Sequence, residues 1–115
     1  LAMRDSGLVR FGSHSRRHTR LLPGLAALQL DDELRGSRSR LEQMTGRPVD
    51  IFCYPNGDCS PAALELARDV YRAAVTTAPG WNQPHSDLHR LQRLSVHEDI
   101  TADPASFLAR VAGLR

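Results

Sequence analysis

Apolar residues at Leu30, Leu34, Leu41 and Met44 recur with the helical period, and the small Ser37 fills the gap in that stripe. The pattern predicts a helix from about Leu25 to Thr45, stopped by Gly46 and Pro48. A different pattern follows. Residues 49–54 (VDIFCY) are largely β-branched and aromatic and lie between Pro48 and Pro55, which predicts a buried strand. Leu8-Val9-Arg10-Phe11, after the breaker pair Ser6-Gly7, predicts a short strand, with Gly12-Ser13 allowing a sharp turn. Ser60 ahead of Pro61 is a helix start, a hydroxyl cap before a proline at the first helical position, and the Ala- and Leu-rich run continues to about Asp69. Ala73 to Thr77 and Leu94 to Val96 are further strand candidates, separated by an irregular loop from Ala78 to Leu91 that Trp81 would anchor. Asp103 and Pro104 open a last helix, expected over Ala102 to Leu114.

Strands alternating with helices imply an α/β fold, a parallel sheet covered by helices and arranged as an open doubly wound sheet or a barrel. Ligand sites in such folds gather at the carboxyl ends of the strands. The stretches richest in reactive side chains, at His14, Pro55 and His97, each directly follow a predicted strand.

Composition narrows the classes. With 115 residues, 41% of them hydrophobic, the chain can build one core, so residues 1–115 are expected to form one domain or part of one. No apolar run approaches the roughly 18 residues of a membrane-spanning helix, and no basic start leads into an apolar stretch resembling a secretory signal. All fifteen basic residues are Arg, but the thirteen acidic ones leave a net charge of only +2. Together with few, scattered aromatic residues, that balance speaks against nucleic acid as a partner. Cys53 and Cys59 are too few for a disulfide scaffold. The opening from Leu1 reads as the tail of a helix, and a fragment is expected.

His14 and His18 stand four residues apart, so on a helical turn both imidazoles would project from the same side toward one metal. A catalytic zinc usually has three protein ligands, so a third would still be needed; two polar loop residues are the plainer reading. Pro55-Asn56-Gly57 forces the strand into a tight turn whose amides could hold an oxyanion, or is an ordinary turn. His97 precedes Glu98-Asp99, whose charge would favour its protonated form and suit a general acid, or the three simply solvate and cap a turn. His85 and His89 are a competing pair in the Pro-rich loop.

With these residues in view, the chain resembles the polysaccharide deacetylases, the NodB-homology or carbohydrate esterase family 4 domain. Residues 11–18 (FGSHSRRH) are similar to that family's zinc motif, in which both His are ligands. Residues 52–57 (FCYPNG) resemble a Tyr-Pro-x-Gly branch of its turn motif, with Cys53 where the more usual form has Arg, and residues 91–101 (LQRLSVHEDIT) resemble a closing V-H-x-D-I-T segment. The resemblance implies a NodB-type (β/α) barrel, here incomplete. It further implies a zinc-dependent hydrolase that removes acetyl groups from an N-acetylated polysaccharide. His14 and His18 would bind the metal, and the Asn56 amide would hold the oxyanion. Tyr54, Pro55 and Gly57 would shape the substrate groove, and His97 would protonate the leaving amine. The family's first motif, an Asp-Asp pair giving the general base and the third ligand, has no counterpart before Leu8. The chain is therefore expected to be the C-terminal part of the domain, inactive or nearly so alone. Three readings compete: a non-catalytic carbohydrate-binding remnant of the same fold, an Arg-rich interaction module, and a truncated chain that never folds.

Overall fold

A computed structural model of the chain describes residues 2–113. Its centre is a three-stranded parallel sheet in the order β1 (Ile51–Cys53), β2 (Ala73–Pro79), β3 (Leu91–Arg93). The helices are α1 (Ala2–Asp5), α2 (Ala27–Asp31), α3 (Ser37–Thr45), α4 (Pro61–Val70), α5 (Glu98–Thr101) and α6 (Pro104–Val111). The alternation that implied an α/β fold is therefore present.

Local chemistry explains most boundaries. Ser60 Oγ accepts from the Ala63 amide and Asp103 from the Ser106 amide, so both predicted N-caps close their helices' first turns. Gly46 adopts φ 65° and ends α3. Ala63, Ala67 and Val70 recur along the buried side of α4, and the two alanines let the helix lie close to the sheet. They join Leu21, Leu30, Leu34, Val49, Phe52, Tyr54, Tyr71 and Ala74 in one core. The Phe52 ring stands edge-on to Tyr54, with centroids 5.3 Å apart, and tilted against Tyr71.

Three expectations are corrected. Leu8–Phe11 is not a strand: Leu8 is 90% exposed, and the chain bridges to β1 only beyond that segment, between Ser13 and Phe52. Extending that ladder upstream would call in turn on the Ile51 and Val49 amides, and the Val49 amide already donates to Glu42 Oε1. The last strand is Leu91–Arg93 rather than Leu94–Val96, because pairing with β2 rather than apolar content selects it. Asn82 also exchanges hydrogen bonds of 2.9 Å with the Gln92 backbone in both directions. Finally, the helix from Ala27 to Thr45 is not uniform. Asp32–Gly36 forms a π-helical turn between α2 and α3, a widening that places Asp32 and Glu33 against the loop carrying His14 and His18.

Candidate metal centre and adjoining cleft

The segment after Ser13 is pinned at both ends. The Ser13 amide donates to Ile51 O and its carbonyl accepts from the Cys53 amide. At the far end, Arg20 forms a two-pronged ion pair with Asp58, and the Ser60 amide donates to Leu21 O. Between these anchors the chain is not helical. Ser15 and His18 have φ of 67° and 57°, left-handed conformations that non-glycine residues rarely adopt. The helical turn expected at His14–His18 is thus replaced by a strained loop, because Gly12 and Ser13 hold the entry extended along β1. The loop nevertheless brings the two imidazoles together, with ring centroids 4.7 Å apart and planes at 69°.

His14 Nδ1 lies 2.7 Å from Cys53 O. A carbonyl can only accept, so Nδ1 carries a proton, and in the neutral ring Nε2 is left with its lone pair, the tautomer of a metal-ligating histidine oriented by a backbone carbonyl. Between the two rings along the chain, Ser15 Oγ is shielded from solvent without a hydrogen-bond partner among the described residues. The donor chemistry fits a divalent ion such as zinc, for which imidazole nitrogen is a usual ligand. Among the described residues, however, no group of three or more His, Cys, Asp or Glu converges on one point.

Charge around the loop is neutralised locally. Asp32 pairs with the Arg16 and Arg17 guanidiniums, and Glu33 with Arg17. These hydrogen bonds hold the Asp32 carboxyl below its ordinary range. Burial alone would raise the Glu33 carboxyl, but bonds from Arg17, Thr19 and Arg16 outweigh it and leave the group lowered. The N-terminal arginines are engaged with acids of their own chain, which weighs against a polyanion surface.

The Tyr54-Pro55-Asn56-Gly57 corner follows β1 directly. Tyr54 is 2% exposed and Pro55 is buried, so both shape the corner from inside. The Tyr54 hydroxyl donates to His89 O at 2.8 Å, and burial together with the Cys59 thiol pushes the phenol well above its ordinary pKa. Asn56 is exposed at φ 54°. The Gly57 and Asp58 amides bond back to the Tyr54 and Pro55 carbonyls, and the Asn56 amide takes no part in those two bonds. Gly57, at φ 77°, is required: a Cβ there would sit 2.1 Å from Thr77 Oγ1.

Beside this corner a cleft of about 560 Å³ opens along the carboxyl half of β2, lined by Gly57, Thr76, Thr77, Asn82, Asp87, Arg90 and Gln92 among others. Arg68 grips Asp87 with two hydrogen bonds and, with the His89 amide, holds that carboxyl below its ordinary range. His97 does not join the imidazole pair. It lines a separate, smaller cleft with Arg93 and Thr77, the residue common to both clefts. Its carbonyl accepts from the Ile100 and Thr101 amides at the start of α5, and its side chain makes no cap bond. In the competing pair, His89 Nε2 lies 2.7 Å from Tyr71 O, so the ring fastens the loop to the core, and His85 is exposed. Cys53 and Cys59 are free thiols.

Sequence reasoning missed Asp32, Glu33, Arg20, Asp58 and Thr77. A signal existed for the first two: adjacent acids at Asp32-Glu33 face a loop whose own sequence, Arg16-Arg17, is basic.

The family model described as polysaccharide deacetylase matches residues 1–75. A search of curated proteins found no match. Among solved structures, a polysaccharide deacetylase from Bacillus cereus aligns with TM-score 0.81 at 28% identity, covering 93% of this chain and 33% of its own. The BA0330 protein of Bacillus anthracis aligns with TM-score 0.72 at 29% identity, covering 80% of this chain and 29% of its own. The Streptococcus pyogenes deacetylase PplD, solved with acetate, shares the fold at TM-score 0.81 and 22% identity, covering 94% of this chain and 48% of its own. The chain thus spans between about a third and a half of the length of these solved relatives. By the match across its first 75 residues and the shared α/β architecture, this chain belongs to the polysaccharide deacetylase family.

Proposed function

We propose that the chain supplies part of the active centre of a zinc-dependent N-deacetylase acting on an N-acetylated polysaccharide. The observation that carries this reading is the His14–His18 ring pair, with His14 held in the ligating tautomer by Cys53 O. A bound divalent ion would act as a Lewis acid toward the acetamide carbonyl and bring the pKa of water near neutrality. His14 and His18 hold the ion through imidazole nitrogen. The Asn56 amide, presented by the strained corner, stabilises the oxyanion as charge develops on the carbonyl oxygen. Tyr54 and Pro55 keep that corner rigid, Gly57 lets it pass Thr77, and the polar cleft beside it receives neighbouring sugar units. His97 gives a proton to the leaving amine as the C–N bond breaks. The general base and third ligand come from outside the described residues, so the chain alone is close to inactive.

A non-catalytic carbohydrate-binding role is favoured by one observation, the polar cleft, which needs no metal. Acetate release and zinc content separate the two. The full-length protein should release acetate from N-acetylated oligosaccharides and lose both zinc and activity as His14→Ala. Equal activity in the two proteins would contradict the deacetylase reading, and glycan binding without zinc or acetate release would establish the other.

A further inference from the structure

Among the described residues Glu33 is the most deeply buried charged side chain, 0% exposed, and its hydrogen bonds there all run to one loop. Its Oε2 accepts from the Arg16 and Arg17 amides, each at 2.9 Å, and its Oε1 from Arg17 Nη1 and Thr19 Oγ1, each at 3.0 Å. Those two amides lie between the two left-handed residues, Ser15 and His18. Torsions of that kind persist only where surrounding contacts over-determine them. Glu33 provides such contacts, and the π-helical turn delivers it. The widened turn lets consecutive carboxylates serve one loop, Asp32 holding the guanidiniums of Arg16 and Arg17 while Glu33 holds the backbone. Gly36 completes the arrangement, since a Cβ at that position would lie 2.5 Å from Asp32 Oδ1.

We propose that Glu33 is a positioning residue for the two-histidine loop: its buried carboxylate fixes the Arg16–Arg17 backbone so that the His14 and His18 rings face one ligand. In its metal-binding form this rests on the reading that the two imidazoles take a divalent ion. A merely stabilising role makes a different prediction, and the same chain contains the control. Glu42 likewise ties α3 to the segment that follows it, through the Val49 amide, and pairs with Arg38 on its own helix, but that segment carries no histidine.

The test is calorimetric titration of Zn²⁺ alone into the folded wild-type chain and the Glu33→Gln, Thr19→Val and Glu42→Gln variants, each checked by circular dichroism. Loss of an outer-sphere partner typically weakens metal binding about 10–100-fold, so Glu33→Gln should fall in that range while Glu42→Gln stays within about twofold of wild type. Thr19→Val, which removes one of the hydrogen bonds, should lie between and remains informative if Glu33→Gln does not fold. Wild-type affinity in Glu33→Gln, or in Thr19→Val should only that variant fold, overturns the proposal; so does an equal loss in Glu42→Gln. If the wild-type chain takes up no Zn²⁺, as a site whose third ligand comes from outside the described residues allows, the positioning role is read in the metal-free protein by NMR. Loss of His14–His18 inter-ring contacts and of Arg16 and Arg17 amide protection in Glu33→Gln, but not in Glu42→Gln, then supports it. Their persistence in Glu33→Gln overturns it.

Discussion

His14 Nδ1 and the carbonyl oxygen of Cys53 are 2.7 Å apart, so the first imidazole is aimed by the last residue of β1. The sheet therefore sets a ring that sequence spacing alone would assign to a helical turn. The neutral ring should carry its proton on Nδ1, which ¹⁵N-resolved NMR of the metal-free chain reads directly; an Nε2–H tautomer would remove the geometric basis of the ligand assignment.

Tyr54 works from the interior. Tyr54→Phe leaves His89 O without its donor and should cost about 1–2 kcal/mol of stability, measured by urea unfolding. Proteolysis within the loop of residues 80–90 should quicken in the variant, because that hydroxyl and the Arg68–Asp87 pair tie the loop to the body of the fold.

Gly57 combines a left-handed torsion with the close approach of Thr77. Gly57→Ala should destabilise by about 1–2 kcal/mol from the backbone torsion alone, with the collision against Thr77 Oγ1 adding to that. Adding Thr77→Ala to Gly57→Ala should relieve the clash with Oγ1 and leave the torsional cost together with the 3.0 Å approaches to the Cβ and amide of residue 77. No recovery in that double variant would show that Thr77 does not limit the corner.

The Asp87 carboxyl is held below its ordinary range chiefly by Arg68 and then by the His89 amide. Its folded pKa lies below the unfolded value of about 3.9, so the pair stabilises fully above that pH and its contribution is lost as pH falls through the folded value. Arg68→Met should therefore destabilise at pH 6 and converge toward wild type as the solution is taken well below pH 4. A difference independent of pH would locate the effect of Arg68 in packing rather than in the pair. Asp32, Glu33, Glu42, Asp58 and Asp103 are lowered as well, so the comparison has to be between variant and wild type at each pH.

What the sequence made legible was local. The caps at Ser60 and Asp103, the stop at Gly46 and the strand bounded by Pro48 and Pro55 each depend on one or two neighbouring residues, and each lies where expected. Long-range pairing was not legible. Leu8–Phe11 has strand composition, but the Val49 amide that a longer ladder would need is committed to Glu42. Leu91–Arg93 has little strand character and is selected by β2 and Asn82. At the site, four-residue spacing found the imidazole pair but supplied the wrong backbone for it. Its supports, Cys53 O, Glu33 and the Arg20–Asp58 pair, are 14 to 39 residues distant in sequence from the groups they hold. The same distance hides the role of Thr77, which connects the Asn56–Gly57 corner to the cleft lined by His97.

The most direct test of a shared ion is the zinc-edge X-ray absorption spectrum of the zinc-loaded chain. Two imidazole ligands in the wild-type protein, falling to one in His18→Ala and in His14→Ala, are expected from rings 4.7 Å apart. A spectrum without imidazole scattering, or one unchanged by both substitutions, would contradict the account.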